Sequence, residues 1–509
     1  MLRQVKTENG WVRGIEAADP RITAFRGIPF AAPPTGPNRW RAPQPCENWD
    51  GVRDCARFAP ISMQWIPGLG DDIYCREWHV DPDIPMGEDC LYLNVWTNAK
   101  HPDEKLPVLV WFFGGGLQCG YTAEMEFDGE RIARRGIVVV SINYRVGALG
   151  FLTHPRLSLE QPDAPANFGN LDQQAGLRWV QRNIAAFGGD PEKVTIAGQS
   201  AGGGSVMSQL ACKATEGLFR SAVVMSAMIF DPYLRREVGR PEPLRQAEKK
   251  GEEFFAFMGV KTLEQARAID AVTLQRGYEK YMQTHVPFFT VQDDLFCVGD
   301  PIALYCKGEC VDAVMMAGNT EDEFLNTIAA KDESELRTEA ARVFGEKAGE
   351  FLAFPESRQT LPGKGWAPVS GIGCSVKAVL EEAAGTGRKG YCYRFGPDIP
   401  GWDDPGTFHS SDLWFWFETL AKCWRPFVGR HYDLARQMCD YFCNFIRTGD
   451  PNGKDLNGEP LPRWEAWSAQ EPCTMLFLRD GAAASDAPQT AFERFISDRI
   501  AERIRQIGR

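Results

Sequence analysis

The segment 194–204, Val-Thr-Ile-Ala-Gly-Gln-Ser-Ala-Gly-Gly-Gly, constrains this chain more than any other. Its β-branched run, Val194, Thr195 and Ile196, predicts a buried strand. Gly198-Gln199-Ser200-Ala201-Gly202 follows at once, and Val206, Met207 and Leu210 then recur at helical spacing. Strand, sharp turn and helix is the setting in which a G-x-S-x-G motif carries a serine at the apex of a tight turn. Glycines at 198 and 202 remove the Cβ atoms that would collide where strand and helix approach. The same five residues also fit a glycine-rich turn with a solvated serine, so their meaning rests on partners elsewhere in the chain.

The length of 509 residues is enough for one large core with insertions. A charged fraction of 24% and a hydrophobic fraction of 44% describe a globular chain able to bury that core. The net charge of −12, without a basic cluster, argues against nucleic acid or an anionic membrane as partner. The first eight residues hold no apolar segment of the signal-peptide kind, and no run reaches the length of a membrane span. Fifteen cysteines, an odd number without a small-scaffold spacing, exclude a complete disulfide framework. Cys306/Cys310 and Cys439/Cys443 lack further ligands nearby, so free thiols and a cytoplasmic location are expected, with no metal.

Taken in order, the chain opens with short turn-rich segments that predict antiparallel strands ahead of a larger sheet. Residues 60–87 read as a long irregular loop in which Trp65 and Trp78 are candidates either to line a pocket or to pack inside. Apolar strands are predicted at 88–96, 106–113, 137–143, 194–196, 222–226, 311–319 and 390–395. A helix is predicted over 171–187, and charged helical insertions around 230–300 and 325–390. Phe492, Phe495, Ile496, Ile500, Ile504 and Ile507 form one stripe of a terminal helix expected to dock on the body. Apolar strands alternating with helices imply an α/β chain whose mainly parallel sheet is covered on both faces. Reactive groups then collect at the carboxyl ends of the strands.

A serine hydroxyl needs a neighbouring base to take its proton. Of six histidines, only His409 lies after Ser200 in a loop following a late strand. The base needs a carboxylate on its other nitrogen. Glu323 just past the 311–319 strand is the best-placed acid, with Asp322 and Glu321 as rivals. Gly114-Gly115-Gly116 after a buried strand, and Ala201 at a helix start, supply backbone N–H groups for a developing oxyanion. The order Ser200, acid, His409 is that of α/β-hydrolases.

With these residues assembled, the chain resembles the type-B carboxylesterase/lipase family, which includes cholinesterases and bacterial p-nitrobenzyl esterases. The resemblance runs through Phe25-Arg26-Gly27-Ile28-Pro29, Glu88-Asp89-Cys90-Leu91-Tyr92-Leu93-Asn94-Val95, Asn143-Tyr144-Arg145 and Asn170-Leu171-Asp172-Gln173. It continues in Phe187-Gly188-Gly189-Asp190-Pro191, the segment 198–203, Gly318-Asn319-Thr320-Glu321-Asp322-Glu323, Phe408-His409-Ser410-Ser411-Asp412 and Thr448-Gly449-Asp450-Pro451-Asn452. It implies an α/β-hydrolase fold with an N-terminal antiparallel extension, in one domain spanning 1–509. It implies Ser200 as nucleophile, His409 as base, Glu323 as the acid, and Gly115, Gly116 and Ala201 as oxyanion donors. It also implies structural ion pairs Arg39–Glu88 and Arg145–Asp172. Members from secreted settings pair the cysteine at Cys90 with one upstream, for which Cys75 stands here.

Three departures bear on specificity. Phe113 stands where the family has His or Tyr, Leu117 follows the glycine triplet in place of Phe, and Gln199 replaces the Glu before the nucleophile. Phe113, Leu117, Gln199, Trp414 and Phe415 are the candidate substrate pocket, with Trp416 beside them. The resemblance implies a cofactor-free serine carboxylesterase acting on small-molecule esters as a monomer or small homo-oligomer. Two alternatives stay open at this point: a non-catalytic binding protein on the same fold, and the same machinery applied to carbamate, thioester or amide bonds.

Overall fold

The computed structural model describes residues 1–234, 240–468, 470–486 and 489–507. Eleven strands make one sheet: β1 (Ile15–Glu16), β2 (Thr23–Pro29), β3 (Tyr92–Thr97), β4 (Leu106–Phe112), β5 (Val138–Ile142) and β6 (Gly189–Gln199) come first. They are followed by β7 (Ser221–Met225), β8 (Val314–Thr320), β9 (Gly390–Phe395), β10 (Thr474–Leu478) and β11 (Gly481–Ser485). Across the sheet the order is β11-β10-β9-β8-β7-β6-β4-β5-β3-β2-β1. Neighbours from β10 to β5 run parallel. β3, β2 and β1 add on antiparallel at one edge, and β11 does so at the other.

The parallel strands are covered on both faces, which is why their sequences are apolar without alternation. β9 spans the expected residues, whereas β6 starts five residues before the β-branched run that announces it. Its opening residue, Gly189, pairs with Leu106 across a register shift, a pairing that no apolar pattern advertises. The β10–β11 hairpin was not expected from sequence, because Gly-Ala-Ala-Ala-Ser has little strand character of its own.

Helices cover the sheet: α1 (Phe168–Asn183), α2 (Ala201–Ala211), α3 (Leu244–Phe257), α4 (Ala271–Met282), α5 (Pro301–Cys306), α6 (Gly371–Gly385), α7 (Gly429–Thr448) and α8 (Ala491–Ile507). The expected stripe of α8 is buried from Phe492 to Ile504 against α6, but Ile507, a turn further on, is exposed. The loop 60–87 is closed at its base by pairing of Ile61–Ser62 with Met86–Gly87. Within it Trp78 packs inside, against Phe408 and Trp414, while Trp65 remains exposed. Residues 235–239, inside the first expected insertion, lie outside the described residues.

Strand order is what creates a crevice. β6 lies on the far side of β4 from β5, so the winding direction switches between β4 and β6, where ligands bind in open α/β sheets. The turns after β4, β6, β8 and β9 gather at that edge, and they carry the glycine triplet, Ser200, Glu323 and His409.

Two buried ion pairs brace the flanks. Arg145 donates from Nε and Nη2 to the two oxygens of Asp172 at 2.8 and 2.7 Å, and its backbone N–H adds a third bond. Burial pushes the Asp172 carboxyl up despite this, because desolvation outweighs the guanidinium. Arg39 forks onto Glu88 with two bonds of 2.6 Å and donates to the carbonyls of Ala266 and Ile269. All fifteen cysteines, Cys75 and Cys90 included, are free thiols. No helix among the described residues is long and apolar enough to cross a membrane.

The buried pair makes a testable demand. Asp172→Ala, which strands Arg145 in the interior, should cost about 3–5 kcal/mol, read as a fall in the unfolding midpoint. Replacing both partners with apolar residues of similar volume should cost much less. A loss below about 1 kcal/mol for Asp172→Ala would show that water reaches Arg145.

Candidate active site

Ser200 joins β6 to α2 with φ 56° and ψ −127°, a conformation that costs free energy for any residue with a Cβ. The turn is held by Ser200 N–H donating to Met225 O at 2.8 Å, and by Gly204 N–H donating to Ser200 O at 2.9 Å. Gly202 is required by close approach: a Cβ there would lie 2.2 Å from Phe112 O and 2.5 Å from Phe113 O. Helix α2 therefore starts directly against the end of β4, beside the glycine triplet. Ser200 Oγ makes no hydrogen bond among the described residues.

The triplet turns sharply. Gly115 has φ 98°, and a Cβ on it would meet Cys119 O at 2.3 Å, so only glycine fits. Its carbonyl accepts from the N–H groups of Gln118 and Cys119. Buried Gln118 ties the turn to the insertion above it, donating to Phe288 O at 2.8 Å and accepting from Tyr278 Oη at 2.8 Å. Tyr278 in turn accepts from Phe288 N–H. Sequence reasoning missed Gln118 and Tyr278, since neither belongs to a motif.

Glu323 and His409 are brought into contact, Glu323 Oε2 on His409 Nδ1, with both side chains buried. Glu323 Oε1 accepts from Thr320 N–H at 3.0 Å. Asp322, the sequence rival, faces away to accept from Thr407 N–H and Oγ1 at 2.8 and 2.9 Å. With Nδ1–H on Glu323, the other nitrogen of His409 is an acceptor, and Gln199 Nε2 lies 3.2 Å from it. Gln199 thus touches the histidine and does not line a pocket wall.

A second buried carboxylate stands behind the pair. Asp412 Oδ2 accepts from Tyr393 Oη at 2.9 Å and Trp416 Nε1 at 3.2 Å. Burial, reinforced by the charge of Glu323, pushes its carboxyl up to about 6. Its sequence signal is an acid three residues after His409, where the chain enters an apolar helix.

Ser200 opens onto a cavity of about 390 Å³. One wall is a single face of α2, formed by Ala201, Gly204, Ser205 and Ser208. Gly116, Leu117, Phe289, Pro301 and Ile302 also line it. Asp231 and the Arg240–Asp300 pair, joined at 2.7 Å, stand among its few polar groups.

Leu117 is the one expected pocket aromatic or aliphatic side chain that lines this cavity. Phe113, Trp414 and Phe415 are instead fully packed, which corrects the sequence expectation. Phe113 stacks on Tyr144 at 4.1 Å, Trp414 lies beside Trp78, and Phe415 sits edge-on to Phe395 and Phe427. Trp416 is likewise core, against Tyr393 and Phe442. These rings belong to the layer that supports the His409 loop.

The carboxylesterase family model matches residues 2–355 and 370–495. The fumonisin B1 esterase of Sphingopyxis macrogoltabida is 35% identical over 67% of this chain and 61% of its own length. The cholinesterase of Mus musculus is 42% identical over 47% of this chain and 39% of its own, and the Homo sapiens cocaine esterase 29% identical over 93% and 87%. The chain thus spans less than two thirds of the first two of these relatives. Among solved structures, a Geobacillus stearothermophilus carboxylesterase superposes with a TM-score of 0.75 at 28% identity, covering 97% of this chain and 99% of that one. A PNB esterase superposes with a TM-score of 0.77 at 25% identity and the same coverage.

The raised Asp412 carboxyl sets a pH test. Its folded value of about 6 against an ordinary 3.8 means that the folded chain holds the proton more tightly than the unfolded chain. Stability from this group is therefore full at low pH and falls as pH rises through that window. Asp412→Asn should gain on the native protein by about 2 kcal/mol between pH 4 and pH 7. An unfolding comparison with no pH dependence would contradict the burial argument.

Proposed function

Because the chain belongs to the carboxylesterase family, we propose that it is a serine hydrolase of carboxylic esters working through an acyl-enzyme on Ser200. The observation that carries the reading is the buried Glu323–His409 contact beside a strained serine that faces an apolar cavity.

In the proposed cycle, His409 Nε2 leaves the Gln199 amide and takes the Ser200 hydroxyl proton as Oγ attacks the ester carbonyl. Glu323 keeps the imidazole in the tautomer that can do this and stabilises the imidazolium that forms. The carbonyl oxygen, now negative, accepts from the N–H groups of Gly115, Gly116 and Ala201, each such donor contributing about 2.7–4 kcal/mol. His409 then protonates the departing alcohol, and water repeats the sequence to release the acid.

The cavity supports a reading of where the two arms of the ester lie. The departing oxygen must lie within reach of His409, and His409 does not line the cavity, whereas Gly116, Ser200 and Ala201 do. The acyl arm therefore runs along α2. At about 30 Å³ per water-sized group, 390 Å³ holds on the order of a dozen non-hydrogen atoms. Short-to-medium acyl and aryl esters fit that volume. The reading extends to a cytoplasmic monomer or small homo-oligomer, which the fifteen free thiols support for a reducing compartment.

Two outcomes test it on p-nitrophenyl acetate, butyrate, octanoate and laurate. Ser200→Ala should lower kcat/KM by about 10⁴-fold or more on every ester that the native protein turns over. Equal turnover by the two proteins would remove Ser200 from the chemistry. Gly204→Val, whose side chain enters the cavity because a Cβ there meets nothing within 4 Å, should cost about tenfold or more on octanoate and spare acetate. An unchanged chain-length profile would move the acyl arm elsewhere.

A further inference from the structure

The residue directly after Glu323 is a phenylalanine in a backbone conformation that phenylalanine disfavours. Phe324 has φ 40°, the residue is 55% exposed, and its ring centroid lies 4.3 Å from that of His409 with the planes tilted by 39°. A bulky residue at positive φ is an outlier that persists only where its surroundings fix it. They do so here: Asp322 is pinned to Thr407, and Glu323 to Thr320 and His409, so the chain has to turn at the next residue to enter the strand Leu325–Ile328. Burial does not explain the choice, since the residue is exposed. Glycine or asparagine would fill the turn at lower cost.

We infer that Phe324 is a specificity-determining residue, an aromatic platform on the alcohol side of the site that favours esters of aromatic alcohols. The inference rests on the esterase reading and deepens it. The departing alcohol must reach His409 Nε2 to collect its proton. The ring held against His409 is the apolar surface beside that point, and it does not line the acyl cavity. A benzylic alcohol can lay its ring against Phe324 in an offset or edge-on contact, whereas ethanol offers nothing to stack.

The test compares benzyl butyrate with ethyl butyrate on the native protein, Phe324→Gly, Phe324→Asn, Phe324→Tyr and Ser200→Ala. Both esters deliver the same butyryl group, so the ratio of their kcat/KM values isolates the alcohol. Gly and Asn both suit the left-handed backbone, so folding is preserved in at least one of two chemically different variants. Loss of the ring should lower the benzyl-to-ethyl ratio by about tenfold while ethyl butyrate alone stays within about twofold. Phe324→Tyr should keep the native ratio. A ratio unchanged in both ring-free variants, or an equal fall on both esters, would overturn the inference and leave the esterase reading standing. Turnover that survives Ser200→Ala, or a native protein inert on both esters, would overturn the esterase reading and the inference with it.

Discussion

Everything at this site depends on how closely α2 approaches the end of β4. With Gly202 absent of a side chain, the helix N-terminus comes within contact of the Phe112 and Phe113 carbonyls. That approach forces Ser200 into its strained turn, and it sets Ala201 N–H beside the glycine triplet. A single methyl group at 202 would separate the two elements and dismantle the arrangement. The strain is sustained by the core beneath it, since β4, β6 and β7 are buried on both faces.

The other partners arrive by a different route. Glu323 and His409 lie in the segments that follow β8 and β9, neighbouring parallel strands paired in register as far as Thr320 and Phe395. Asp322 and Thr407 lock the two segments together one residue before Glu323 and two before His409. Behind them, the rings of Trp414, Phe415 and Trp416 fill the layer under the His409 loop. Residues that resemble a pocket in sequence are thus the packing that keeps the pocket's chemistry in register.

Legibility followed from how much each feature depends on local chemistry. Apolar parallel strands, the turn at Ser200 and the order of serine, acid and histidine were readable, because each needs particular residues at particular spacing. The β10–β11 hairpin was not, since its alanine-rich strand is specified by pairing with β10 and not by its own pattern. Nor was the cavity wall. Phe289 follows Phe288, which Gln118 and Tyr278 hold through bonds that cross the sequence by 170 and 10 residues, while Pro301 and Ile302 come from the start of α5, so the wall is assembled from separate segments that share no motif. Aromatic composition misled for a related reason: a run such as Leu-Trp-Phe-Trp-Phe reads the same whether it faces a ligand or a core. Phe324 was overlooked because its oddity lies in a backbone angle.

The central claim is that Ser200 is the nucleophile, and the most direct measurement is to trap it. Treatment with diethyl p-nitrophenyl phosphate should transfer one diethylphosphoryl group to the serine oxygen as p-nitrophenolate leaves. Peptide mass spectrometry should then find a single adduct, on the peptide containing Ser200, formed in step with loss of ester turnover. An adduct confined to another residue, or turnover that persists while Ser200 is fully modified, would contradict the account.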